Sequence, residues 1–194
     1  AIIIADIVVE TQPTNVNECV GGQDQMTVAI SGGSGIISYQ WQSSATGAAP
    51  WANAAGTGST TNTFTPPSAT PGTTYYRVLV NATGTDCAQA VSSVVTAIII
   101  ADIVVTTQPT NVNECVGGLD QMTVAISGGS GLISYQWQSS TTGAVPWANA
   151  EGTGSTTNTF TPPSATPGTT YYRVLVNASN SDCQQAVSSV VTAI

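Results

Sequence analysis

The sequence predicts an all-β protein built as two tandem β-sandwich domains, about seven short strands in each. Three observations predict it. The chain repeats itself with a period of 96, and only positions 10, 23, 36, 45, 49, 55, 83, 84, 85 and 88 differ between the copies. That period is too long for helical or propeller repeats and long enough for a domain with its own core. Within each copy, apolar residues recur at every second position in short runs closed by Gly, Pro and Asn, and no stretch has a helical period. Finally, the stretch joining the copies, Val94 to Val105 (VVTAIIIADIVV), contains neither Gly nor Pro and is apolar at odd and even positions alike. A flexible linker would be rich in Gly and Ser. A strand solvated on one face would alternate, so this seam is expected to be covered on both faces. The chain also opens with AIIIADIVV, and the given sequence reaches Ala193-Ile194 where that stretch would start again. It therefore reads as part of a longer array, with domains expected at 1–96 and 97–194, the latter ending in the first residues of a further repeat.

Taken in order, Ile7-Val8-Val9 begins a strand that Pro13 breaks, and Thr14 to Cys19 continues it to a turn at Gly21-Gly22. Met26 to Ile30 alternates, with Met26, Val28 and Ile30 inward. Ser31 to Gly35 is a turn. Ile37 to Gln42 alternates again, with Ile37, Tyr39 and Trp41 inward. A looser region containing Pro50-Trp51 follows. Asn62 to Thr65 is a short strand that buries Phe64, stopped by Pro66-Pro67, because proline cannot donate to a ladder. Pro71-Gly72 turns the chain into Tyr75 to Val80, with Tyr76, Val78 and Val80 on one face. Asn81 to Asp86 is a polar turn, and Ala88 to Val95 is the last strand, feeding the seam. Seven or so strands at this spacing make a sandwich.

Charge excludes several function classes. The only basic residues are Arg77 and Arg173, there is no Lys and no His, and the net charge is −8. Nucleic acid and anionic membrane surfaces both need basic clusters. The longest apolar run is shorter than the ~20 residues of a membrane span. A serine nucleophile would lack its usual base, and the acids lie near turns and the seam, not as a pair across a cleft. The reading is not an enzyme. Calcium at the joint would use Asp102, but no cluster supplies the six to eight oxygens it takes, so no cofactor is expected.

The run QP-x-N-x-x-x-C-x-GG, then YQWQ, a further Trp some ten residues on, TPGTTYYRVLVN and a second Cys resembles the immunoglobulin-like repeats of giant secreted surface proteins of Bacteroidota. Those are similar to gliding-type adhesins exported by the type IX system. The residues that carry it are Gln12, Pro13, Cys19, Gly21, Tyr39, Trp41, Trp51, Gly72, Tyr76, Arg77 and Cys87, with the same set from Gln108 to Cys183. The resemblance implies two tandem immunoglobulin-like sandwiches and an extracellular or cell-surface location. Unlike antibody domains, the chain has Val28 and Val78 where an inter-sheet disulfide would sit, so Trp41 is expected to pack on aliphatic residues.

Several residues stand out for function. Trp41 and Trp137 sit mid-strand at inward parity and are core candidates. Trp51 and Trp147 follow a proline in a polar loop; they either close the edge of their own core or stack on a sugar ring of a surface glycan. Arg77 and Arg173 point outward beside Gln40 and Gln42 or their repeats. Ile98, Ile99 and Ile100 offer more apolar surface than two abutting domain ends need, and exposed apolar strands invite edge pairing with like chains. Cys19, Cys87, Cys115 and Cys183 form one pair per repeat, which fits an oxidising exterior, and four cysteines allow three connectivities. Pairing within each repeat, Cys19–Cys87 and Cys115–Cys183, is the simplest. Topology tips the balance toward Cys19–Cys183 across the seam. Cys19 precedes the turn at the pole where the last strand leaves, and Cys87 follows a turn at the pole where the chain enters, about 20 Å away for a strand of six residues. The function expected is a mechanical, self-associating repeat of an extracellular fibre, stalk or adhesin. A carbohydrate-binding module using Trp51 and Trp147 is the alternative.

Overall fold

The computed structural model describes residues 3–83, 87–179 and 183–194, and among them every regular element is a strand. The chain forms two compact units, Ala1–Ile100 and Ala101–Ile194. The boundary falls after Ile100, later than the 96-residue period places it. The reason is that the seam is itself the last strand of the first unit.

The first unit contains β1 (Val8–Thr11), β2 (Val16–Cys19), β3 (Met26–Thr27), β4 (Ala29–Ser31), β5 (Ile36–Ser44), β6 (Ala52–Asn53), β7 (Thr63–Phe64), β8 (Gly72–Thr83), β9 (Ala90–Val91) and β10 (Val95–Ile100). The main sheet runs β2-β10-β8-β5-β6, with β9 also on β8; the pairs β1-β4 and β3-β7 form the facing layer. β9 and β10 are one strand interrupted at Ser92, whose hydroxyl accepts the Val78 amide at 3.0 Å while its own amide donates to the Val78 carbonyl. The chain crosses between layers at the buried Pro13. There the Gln12 side-chain carbonyl accepts the Ser93 amide at 2.7 Å and that of Asn15 accepts the Thr96 amide at 2.9 Å. These two side chains satisfy donors that the interrupted strand would leave unpaired.

Both layers bury alternate residues. Trp41 is fully buried, stacked on Phe64 at 5.2 Å, and Phe64 meets Tyr76 at 5.1 Å. The expectation that Trp41 packs on aliphatics is thus corrected in part: Val28 and Val78 are in the core, but the ring's closest aromatic partner is Phe64. The indole N–H donates to the Thr61 carbonyl at 2.9 Å, so burial leaves no orphaned donor. Trp137 repeats this with Phe160 and the Thr157 carbonyl.

β10 departs from the seam expectation. Val95, Ala97 and Ile99 are buried, whereas Ile98 is 40% exposed, so the strand alternates within its unit despite its unbroken apolar sequence. Nor has it a free edge. Residues Ala97 to Ile100 pair in parallel with Val16 to Cys19, and Val95 to Ile99 pair antiparallel with Tyr76 to Gly72. The backbone groups that edge pairing would use are already taken.

The second unit repeats the plan with β11 (Val104–Thr107), β12 (Met122–Thr123), β13 (Ala125–Ser127), β14 (Ile133–Ser140), β15 (Ala148–Asn149), β16 (Thr159–Phe160), β17 (Thr170–Ala178), β18 (Ala186–Val187) and β19 (Val191–Ala193). Where β2 stands in the first unit, the second has the parallel bridge Val112–Ala193, with the Val112 amide donating to the Thr192 carbonyl and the Glu114 amide to the Ile194 carbonyl.

Candidate functional site

The features that bear on function lie at the two ends of each unit. At the entry pole of the first unit, the Ala5 carbonyl accepts the Gly33 amide at 2.8 Å and the Asp6 carboxylate accepts the Ala88 amide at 3.3 Å. Gly32, at φ +71°, is packed so closely that a Cβ would lie 2.0 Å from the Asp6 carbonyl oxygen. Only glycine tolerates both that dihedral and that approach. Cys87 is here, its sulfur 3.8 Å from the Ala5 carbonyl oxygen.

At the exit pole, Cys19 lies opposite Ile100, and the Val20 amide donates to the Ile100 carbonyl at 3.1 Å. Glu18 is buried and its carboxylate accepts the Asp24 amide at 2.8 Å, closing the Gly21-Gly22 turn. A Cβ on Gly22 would collide with that carboxylate, so glycine is required there by space. The poles are linked by β8, which starts opposite Ile99 at Gly72 and ends at Thr83. Twelve residues at ~3.3 Å span about 36 Å, nearly twice the distance expected from a six-residue strand. Disulfide Cα atoms must lie within ~7 Å, so Cys19 cannot reach Cys87 in its own unit. Cys19 and Cys183 are each in a disulfide, and Cys87 and Cys115 are free thiols, the second of them exposed.

On each side of the boundary the backbone is hydrogen-bonded into its own unit. The Ile100 carbonyl is held by Val20 in the first unit, and the Ala101 carbonyl accepts the Gly129 amide at 2.8 Å in the second. Gly128, at φ +75°, packs on the Asp102 carbonyl as Gly32 does on Asp6, and Ile103 is buried in the second core. One peptide bond separates the last residue held by the first unit from the first held by the second.

Trp51 lies outside the core cluster, half-buried, with the Arg77 guanidinium carbon 4.4 Å from its ring centroid; Trp147 and Arg173 repeat this geometry. Arg77 is fixed from the other side by its Nε, which donates to the Gln42 side-chain carbonyl at 3.0 Å. Gln40 turns away and donates to the Trp41 carbonyl. One face of each ring is therefore occupied by the protein's own cation. Reading the sequence placed Arg77 beside Gln42 but missed its contact with Trp51, because nothing in the spacing of residues 51 and 77 signals it. Burial pushes the phenols of Tyr76 and Tyr172 above their ordinary value, partly offset by hydrogen bonds from Thr74 and Thr170. No helix among the described residues is long and apolar enough to cross a membrane.

A family model described as "Domain of unknown function (DUF8696)" matches residues 10–101 and again residues 105–194. The chain belongs to this family. No curated protein matches it in sequence. Among solved structures it is similar to the three N-terminal domains of the bacteriophage RB49 highly immunogenic outer capsid protein, with a TM-score of 0.59 and 12% identity over 96% of this chain and 67% of that one. Sidekick-1 immunoglobulin domains 1–5 give a TM-score of 0.53 at 12% identity, over 99% of this chain and 40% of that chain. A three-domain titin structure gives 0.53 at 10% identity, over 98% of this chain and 65% of that one. At these identities the likeness establishes fold: each unit is an immunoglobulin-like sandwich, and the chain is a tandem of two.

Proposed function

We propose that the chain is a mechanical spacer, a stiff segment of an extracellular fibre, stalk or surface adhesin. The observation that carries this is the joint of one peptide bond between Ile100, hydrogen-bonded into the first unit, and Ala101, hydrogen-bonded into the second. Ordinary inter-domain linkers are polar and flexible, and domain motion is their default. Here the backbone on each side of the joint is committed to a sandwich.

The same reading pairs Cys19 with Cys183. Each is oxidised, and the within-repeat partner of Cys19 is out of reach along β8. Cys19 ends the strand beside Ile100, and Cys183 occupies in the second repeat the position that Cys87, beside Ala5, holds in the first. Such a bond would close a long loop and restrain the joint; the loop-entropy model puts its gain at about 4–5 kcal/mol. A structural disulfide implies folding in an oxidising compartment, which supports an extracellular or surface location. The glycan-binding alternative has less support, since Arg77 and Arg173 already stack on the tryptophans it would use.

The test is a distance distribution between spin labels at one exposed position in each unit. The native chain is expected to give a narrow distribution, and a variant with Gly-Ser-Gly-Ser inserted between Ile100 and Ala101 a broad one. If the native chain is as broad as the insertion, the spacer reading fails. Non-reduced peptide mapping tests the pairing by the presence of a Cys19–Cys183 fragment.

A further inference from the structure

We infer that Arg77 anchors a binding site for an acidic sugar, its guanidinium taking the sugar's carboxylate on the outer face of the main sheet, and that Arg173 repeats the site in the second unit. The inference goes beyond the spacer reading and does not rest on it. Arg77 and Arg173 are the only basic side chains in the chain, against ten acids. Each is held from two sides. Its guanidinium carbon lies 4.4 Å from a tryptophan ring centroid, and its Nε donates to a glutamine side-chain carbonyl, 3.0 Å away on Gln42 and 2.9 Å away on Gln138. Among the described residues neither arginine forms an ion pair, and no protein acceptor takes its terminal nitrogens. Both side chains are half-buried, so much of their rotamer freedom is already lost on folding and need not be lost on binding.

None of the sheet neighbours of Arg77 is an acid. Tyr76, Val78 and Val80 of β8 are buried, so Arg77 and Leu79 face outward together with the residues paired to them. Gln42 lies directly across from Arg77 and Gln40 across from Leu79, while Asn53 pairs with Gln42 and Val91 with Leu79. The described acids of the first unit are placed elsewhere. The Asp6 carboxylate accepts the Ala88 amide at the entry pole, that of Glu18 accepts the Asp24 amide at the exit pole, and Glu10 on β1 accepts the Ser31 hydroxyl in the facing layer. The outer face therefore presents one fixed cation among carboxamides.

With Nε engaged by Gln42, the two terminal nitrogens are left, and these carry the paired N–H groups from which a carboxylate accepts bidentately. The neutral side chains around them decide the ligand class. A protein partner would need an apolar core to its interface, and the residues paired around Arg77 supply only Leu79 and Val91 toward one. Carboxamides both donate and accept, which matches the hydroxyls of a sugar ring. The tryptophan positions the cation and is not itself the platform for the ligand. A site that recurs in each unit suits a polymer that repeats its own carboxylates.

The probe is trigalacturonic acid, titrated into the full isotope-labelled chain while the arginine Nε–H and tryptophan indole signals are followed by NMR. The Arg77 and Trp51 signals should move saturably with a midpoint on the order of 1 mM, a single charge-assisted contact being weak, while the buried Trp41 indole stays in place. Neutral galactotriose should give no saturable movement. Arg77→Gln should raise the midpoint read at Trp51 at least about tenfold, the worth of one charge-assisted hydrogen bond. The Arg173 site should be unchanged in that variant, and a native Trp41 signal confirms that it folds. Three results overturn the inference: no saturable movement in the native chain, an unchanged midpoint in Arg77→Gln, or acetate or triglutamate binding as tightly as the sugar acid, which would mark a bare anion site or a peptide site. None of these results alters the spin-label distances that test the spacer reading, so the two can fail separately.

Discussion

Removing Trp41 tests the core of the fold most directly, because the second unit supplies its own control. Trp41→Ala deletes a fully buried ring stacked on Phe64, together with the indole hydrogen bond to the Thr61 carbonyl. Large-to-small changes of this kind cost about 3–5 kcal/mol in transfer and cavity terms. Small domains have only ~5–15 kcal/mol in total. For a domain of this size each kcal/mol shifts the midpoint by about 4–8 °C, so the first unit should melt at least about 12 °C lower. Trp137 has its own stack on Phe160 and belongs to a separate core cluster. Scanning calorimetry of the intact chain should therefore show a transition that moves down and one that stays. A first-unit transition within two degrees of the native value would show that the ring is not what the two layers pack around, and the strand assignment would fall with it.

Other perturbations separate the remaining parts. Gly128→Ala places a Cβ 2.0 Å from the Asp102 carbonyl oxygen, at a φ of +75° that costs a side chain roughly 1–2 kcal/mol; it should lower the second unit's melting temperature and broaden the inter-unit distance distribution, while the first unit's transition holds. A double-mutant cycle on Trp51→Ala and Arg77→Ala should give a coupling of ~0.5–1 kcal/mol, and a coupling indistinguishable from zero would mean that the stack contributes nothing in solution. The phenols of Tyr76 and Tyr172 have folded-state values raised above 10.0, so their contribution is complete below pH 10 and is lost as pH rises through the folded value. Melting temperature should therefore fall on the alkaline side of pH 10, and Tyr76→Phe should flatten that fall for the first unit only.

Most of the sandwich could be read from parity. Met26, Val28, Trp41, Phe64, Tyr76, Val78 and Val80 alternate along their strands and are all buried. The seam could not be read this way. Ile98 and Ile99 are equally apolar, yet one faces solvent and the other the core, because the run lies between two partner strands that leave only its faces free. Composition reports what a strand is made of and not which neighbours occupy its edges. The roles of Gln12 and Asn15 were hidden for a related reason. Each accepts an amide 81 residues away in sequence, and nothing local marks a side chain that stands in for a ladder bond. The opposition of Cys19 and Cys87 was legible in direction but not in extent, since β8 proved to be twelve residues long.

That length bears on what the cysteines can do. A short sandwich could place its two cysteines near each other, and each repeat would then be a self-contained, covalently closed bead. With its thiols at opposite ends of the twelve-residue β8, the first unit cannot satisfy its own pair. Under the Cys19–Cys183 pairing proposed above, the bond would run between successive units. An array built this way would be stapled at every joint, and force along its axis would reach the disulfides before it reached the cores. Reduction should then loosen the joints while leaving each sandwich folded. Treating the intact chain with a thiol reductant is expected to widen the inter-unit distance distribution, while Trp41 and Trp137 remain protected in their cores. If reduction instead unfolded the units, the disulfide would be part of the fold and the bead-and-staple account would be wrong.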